Sequence, residues 1–99
     1  MDELNNLNER SCFGEESAEY ADTIQEFIRD EQRDSEYYRM LSRRAPNSAA
    51  SRMFRQFSRD EYSHARRFSA ALYLITGKRY FPNISELEPI VIPPYKQAL

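Results

Sequence analysis

A chain of 99 residues allows one small domain, and a monomer of that size buries a comparatively small share of its surface, so a partner is expected from the outset. A formal charge of -2 and a pI near 5.4, with Arg interleaved among acids, exclude a nucleic-acid footprint. Charged residues make up 30% of the chain and Leu, Ile, Val and Phe about a fifth, close to the composition of disorder, but seven Tyr and six Phe favour folding.

Residues 1–14 are polar, end at Gly14 and show no sustained period, which predicts a flexible arm where Leu4, Leu7 and Phe13 dock weakly at most. The segment lacks the basic start and apolar core of a signal peptide, and no apolar run approaches the roughly 18 residues that span a bilayer. Cys12 is the sole cysteine, so no disulfide framework exists, and a reducing, cytoplasmic setting is expected.

From about Glu15 to Arg44 the chain has neither Gly nor Pro, opens with acids and ends with Arg39, Arg43 and Arg44, the charge order that suits a helix macrodipole. Its larger side chains recur at Tyr20, Ile24, Phe27, Ile28, Tyr38 and Leu41, the three-and-four spacing of one buried stripe, interrupted at 31 and at 34 or 35. Ala45-Pro46-Asn47 breaks the helix, and so short a loop makes the next helix an antiparallel neighbour. That second helix runs from about Ser48 to Thr76 and is closed by Gly77, with its stripe at Ala50, Met53, Phe54, Phe57, Phe68, Ala71, Leu72 and Ile75 and a gap at 61 and 64.

Residues 15–77 thus form one long helical hairpin, each helix about 43 Å at 1.5 Å per residue. Residues 78–99 carry Pro82, Pro89, Pro93 and Pro94, which predicts an extended tail rather than a third regular element. Such a tail suits a targeting peptide, a strap across a partner subunit, or the start of a second hairpin in a longer chain.

Continuing the stripe of the second helix from Phe57 by four and three lands on Glu61, His64 and Phe68, so both polar residues occupy core positions. The same steps on the first helix from Ile24 give Phe27, Glu31, Asp34 or Ser35, and Tyr38. Glu31 precedes Pro46 by 15 residues (46 − 31) and Glu61 follows it by 15 (61 − 46), so the two carboxylates stand at one height. Two inward Glu at one height repel or share a proton unless a cation sits between them. Carboxylates with one imidazole suit iron or manganese better than the thiol-rich set of a structural zinc site. A Glu from one helix and Glu-x-x-His from the next are half of the ligand set of a carboxylate di-metal bundle, so two copies complete it around a twofold axis. Asp34, Glu36 and Asp60 are read instead as a solvated face laced with Arg33, Arg55 and Arg59.

Residues 30–38 (Asp-Glu-Gln-Arg-Asp-Ser-Glu-Tyr-Tyr) and 60–68 (Asp-Glu-Tyr-Ser-His-Ala-Arg-Arg-Phe) together resemble the first helix pair of the rubrerythrin-type ferritin-like family, over roughly residues 17–82. The resemblance implies metal ligation by Glu31, Glu61 and His64, with Tyr38 packed behind them, and dioxygen or peroxide chemistry at paired iron. It extends to the two-helix encapsulated ferritins, for which iron sequestration is implied. The chain departs from the longer family in lacking the second helix pair, the Cys-rich rubredoxin module and the additional Glu of later helices.

The expected protein is therefore all-α, a hairpin that homodimerises into a ferritin-like four-helix bundle and holds two irons, or manganese, per dimer, with dioxygen or hydrogen peroxide as oxidant. Glu31, Glu61 and His64 are the expected catalytic and metal-binding residues. Two other readings stand beside it: an iron-storage cargo, and a metal-free interaction module in which the same three residues form a polar layer that sets register.

Overall fold

The computed structural model describes the backbone of residues 3–87 and 89–90 and the side chains from residue 18 onward within that range. Two long helices, α1 (Glu3–Arg44) and α2 (Ser48–Thr76), and a single 3-10 turn at Ile84–Glu86 are its regular elements, with no strand among the described residues. The hairpin measures 60 × 22 × 19 Å. The all-helical reading stands.

The connection forms for local reasons. Pro46 excludes a helical Ala45, and Asn47, in an extended conformation, caps α2 by accepting a hydrogen bond from the Ala50 amide at 2.8 Å on its side-chain oxygen. At the far end Gly77 takes φ +75°, and its amide donates to the Tyr73 carbonyl at 2.7 Å. The helix start differs from expectation. The α1 backbone is helical from Glu3, not from about Glu15, and runs through Gly14, whose interior position costs only roughly 1 kcal/mol relative to Ala. The side chains of Leu4, Leu7, Cys12 and Phe13 lie outside the described residues.

The core is narrow. Ile24, Ile28 and Leu72 form its buried cluster, with Ala21, Phe68 and Tyr80 packed against it, and Leu41 and Ala65 are buried elsewhere along the seam. At mid-height the helices approach through two serines: Ser35 Oγ donates to the Ser58 carbonyl at 2.9 Å, and Ser58 Oγ to the Ser35 carbonyl at 2.7 Å. The reciprocal pair satisfies both hydroxyls across the seam and brings the backbones close.

The apolar stripes are only partly buried, which corrects the expectation of one continuous buried stripe. Tyr20, Phe27, Met53, Phe57 and Ile75 are between 39% and 62% exposed. An apolar arc of about 100° on each helix is wider than one neighbour covers, so one edge enters the hairpin and the other faces outward. The tail also differs from a free extended segment. Residues 80–83 lie back along their own hairpin: Arg29 donates to the Tyr80 hydroxyl at 2.8 Å, Ser69 to the Tyr80 carbonyl at 2.7 Å and Gln32 to the Pro82 carbonyl at 2.9 Å, while Phe81 meets Tyr62 edge-on. Residues 91–99 lie outside the described residues.

Candidate metal centre

Equal helical rise on either side of the Pro46 turn carries Glu31 and Glu61 to one level, and the i,i+3 step places His64 on the same face of α2. The structure brings all three together: one ligand atom from each lies within 4.8 Å of the others. The His64 Nδ1 stands 3.6 Å from Glu31 Oε1 and 3.5 Å from Glu61 Oε1. Both carboxylate side chains are 24% exposed and the imidazole 47%.

Those separations are too long for good hydrogen bonds but near the spacing of ligands around one ion. Donors each about 2.1 Å from a common cation are roughly 3.0–3.5 Å apart. Glu31 Oε1 is buried and has no hydrogen-bond partner among the described residues, an orphaned acceptor that a cation would satisfy. The donor set, two carboxylates and one imidazole with no thiolate, suits a divalent metal that takes oxygen and nitrogen ligands. The three residues fit such a metal on geometry and on chemistry.

Aromatic rings surround the cluster. Phe27 and Phe68 pack at 5.3 Å on the side toward the hairpin's open end, and Tyr38 meets Phe57 at 5.4 Å and Phe54 at 6.4 Å on the side toward the turn. Glu31, His64, Arg67 and Phe68 line a cavity of about 350 Å³ open to the exterior. Tyr38, expected to stand behind the ligands, is held by ring contacts with Tyr37, Phe54 and Phe57. Arg67 is a lining residue that sequence reasoning misses, since an Arg on an Arg-rich helix carries no distinguishing signal.

The other acids are engaged elsewhere. Glu36 forms a two-point ion pair with Arg39, Asp30 meets Arg33 at 3.5 Å, and Asp60 accepts from Gln56 at 2.8 Å. Asp60 is exposed as a solvated face requires, with Gln56 as its partner, whereas the Glu36 side chain is only 18% exposed and is paired with Arg39 rather than Arg33, Arg55 or Arg59. Asp34 is exposed, yet partial burial and then the nearby Asp30 push its carboxyl above the ordinary carboxylate range, against the opposing pull of Arg33.

A hairpin of two long antiparallel helices with Glu on one and Glu-x-x-His on the other, converging at one level, has the helix pairing and residue pattern found within ferritin-like carboxylate proteins. The Rubrerythrin family model matches residues 22–88, two thirds of the chain, and the chain belongs to that family. The match spans both helices from Asp22 and the strap that follows them, and it includes all three clustered residues. Comparison with the curated proteins and with the solved structures gives no match. The family carries a ferritin-like metal-binding role, and the Glu31, Glu61 and His64 group is where this chain has the side chains for it.

Proposed function

We propose that two copies of this hairpin pair through the face bearing Glu31, Glu61 and His64 and hold a di-iron or di-manganese centre between them, acting in iron oxidation or in peroxide and dioxygen chemistry. The observation that carries the reading is the convergence of three ligand atoms within 4.8 Å on a face where Tyr20, Phe27, Met53, Phe57 and Ile75 stay exposed. One hairpin supplies three protein ligands, and a carboxylate di-metal set takes about six, so a second copy contributes the remainder. The exposed apolar edge is what such pairing would cover.

In this reading Glu31 and Glu61 would hold the metals through their carboxylates and His64 through Nδ1, the atom turned toward both carboxylates. Phe27, Phe68 and Phe57 exclude water from the cluster and strengthen each carboxylate's hold. Iron bound there supplies redox and Lewis-acid chemistry toward dioxygen or hydrogen peroxide. Arg67, beside the cavity, would offset part of the negative charge of Glu31 and of an anion bound there. The lone Cys12 favours a cytoplasmic setting, and no helix of the described residues is long and apolar enough to cross a membrane.

Metal content by mass spectrometry, with solution mass, tests this on native protein purified without chelator and on the Glu61→Ala/His64→Ala double variant. About two irons per dimer, lost in the double variant, is the expected result. Protein that is metal-free and takes up no ferrous ion anaerobically refutes the centre. Uptake of many irons per dimer identifies storage instead.

A further inference from the structure

Charge is distributed unevenly along the second half of the chain. The sequence carries 16 acids, yet none stands between Glu61 and Glu86, while Arg66, Arg67, Lys78 and Arg79 all fall within that interval. Arg67 lines the cavity at Glu31 and His64. Arg66 and Arg79 line a separate pocket of about 300 Å³ with Ser69, Ala70, Tyr73 and Leu74. The two cavities share no residue, and no acid of either helix lines the second one.

Helical spacing and the Gly77 cap build this pocket. Arg66, Ala70 and Tyr73 follow one another on one face of α2 by steps of four and three, so the methyl group of Ala70 leaves a depression between two long side chains. Gly77 turns the chain at φ +75°, and Arg79 comes to stand over the Tyr73 ring at 5.4 Å. Arg66 stands over the Tyr62 and Phe81 rings at 6.0 and 5.9 Å. Such contacts hold a guanidinium by its face and leave its N–H donors, which lie in its plane, for another partner. Arg29, Arg33, Arg39, Arg55 and Arg59 each bond a neighbouring side chain. Among the described residues Arg66 and Arg79 have neither a hydrogen bond nor an ion pair. The pocket thus combines two aromatic-held guanidiniums with no anion to answer them.

We propose that this pocket binds a phosphoryl group. A carboxylate has two oxygens and is saturated by one guanidinium fork, whereas a tetrahedral phosphate presents enough oxygens for two forks. Arg66 reaches it from α2 and Arg79 from the segment beyond Gly77. Tyr73 and Leu74, 46% and 83% exposed, form an apolar margin for the organic part of a phosphate ester. A free phosphate and a lipid headgroup share this chemistry, and the experiment separates them. The site is independent of the metal centre, so metal-free protein serves for its test.

The experiment titrates the metal-free full chain with inorganic phosphate and with acetate, read by ¹H–¹⁵N shifts of backbone and arginine side chains. Metal is removed because phosphate would also ligate it, and ionic strength is held constant so that general screening cancels. The expected result is one saturable equivalent per chain, with shifts centred on Arg66, Ala70, Tyr73 and Arg79 and acetate about tenfold weaker, the difference of one charge-assisted contact. Arg66→Gln and Arg79→Gln each weaken phosphate about tenfold for the same reason. Ala70→Glu, which sets a carboxylate one turn from Arg66, removes saturable binding. Arg52→Gln, an equal loss of charge in the first turns of α2, leaves it unchanged. All four positions are exposed, so the variants keep the buried cluster, which circular dichroism checks. Sedimentation with phosphatidylcholine vesicles, with and without phosphatidic acid, identifies the source. Co-sedimentation that requires phosphatidic acid and is lost in Arg79→Gln assigns the headgroup, and protein that stays in solution while binding inorganic phosphate assigns the free anion. Phosphate bound no tighter than acetate, an Arg52→Gln effect equal to that of Arg79→Gln, or shifts centred on His64 and Arg67 overturn the proposal.

Discussion

Replacing Glu31 with Gln should reverse the order of stability between metal-free and metal-loaded protein. Without metal, Glu31 and Glu61 face one another at one level, and Glu31 Oε1 is buried with no hydrogen-bond partner among the described residues, His64 Nδ1 standing 3.6 Å away. An unsatisfied buried acceptor costs about 1–3 kcal/mol. Gln keeps the shape, removes one of two like charges and brings an N–H that can donate to Glu61. A gain of about 1 kcal/mol is expected in chelator, or roughly 4–8 °C in Tm for a domain of this size. With ferrous ion at a hundred times its Kd, the native protein gains about 2.7 kcal/mol by mass action, whereas the variant, short of one anionic ligand, gains far less. Urea unfolding followed by circular dichroism, anaerobically and at one protein concentration, measures both states. A variant less stable than native in chelator, or a native protein indifferent to ferrous ion, refutes the reasoning.

Three further outcomes follow from the same geometry. Leu72→Ala empties the centre of the buried cluster with Ile24 and Ile28, and should cost about 2–5 kcal/mol in denaturant unfolding. Gly77→Ala meets no neighbouring atom but forces a Cβ onto a residue at φ +75°, so thermal melts should show a loss of about 1 kcal/mol from backbone strain alone. For Asp34 the folded carboxyl holds its proton more tightly than the unfolded one, so its charge lowers stability as pH rises from the unfolded value of about 3.9 through the raised folded one, and the cost persists above. Asp34→Asn in chelator should therefore stabilise slightly at pH 7 and leave stability unchanged near pH 3. An equal effect at both pH values would show that the carboxyl's charge is not the cause.

The convergence of Glu31, Glu61 and His64 is legible in the sequence because it rests on arithmetic that local chemistry enforces. Pro46 fixes where the chain reverses, helical rise is the same on both sides, and equal spacings from the turn then bring Glu31 and Glu61 level. The caps at Asn47 and Gly77 likewise follow from residue type, since each supplies what a helix end lacks. The start of α1 is not legible, because a polar stretch without Pro and with one Gly has no strong stop signal.

Periodicity marks which residues are apolar on a helix but not how much of that face one neighbour can cover. The stripes therefore read as a single core, while packing divides them into a buried seam at Ile24, Ile28 and Leu72 and an outer edge at Phe27, Met53 and Phe57. The contribution of Ser35, Ser58 and Gln32 is invisible for the converse reason: small and polar residues join a seam only when the opposite helix arrives at the right distance. The strap depends on contacts spanning about fifty residues, Arg29 to Tyr80 and Gln32 to Pro82, and no local pattern in a Pro-rich tail encodes them. Sequence alone determined the hairpin, its turn and the level of Glu31, Glu61 and His64, because these depend on near-neighbour sterics and helical pitch. Tertiary structure decided which faces were buried, which stayed exposed, and where residues 80–83 lie, because those outcomes depend on what distant segments leave uncovered.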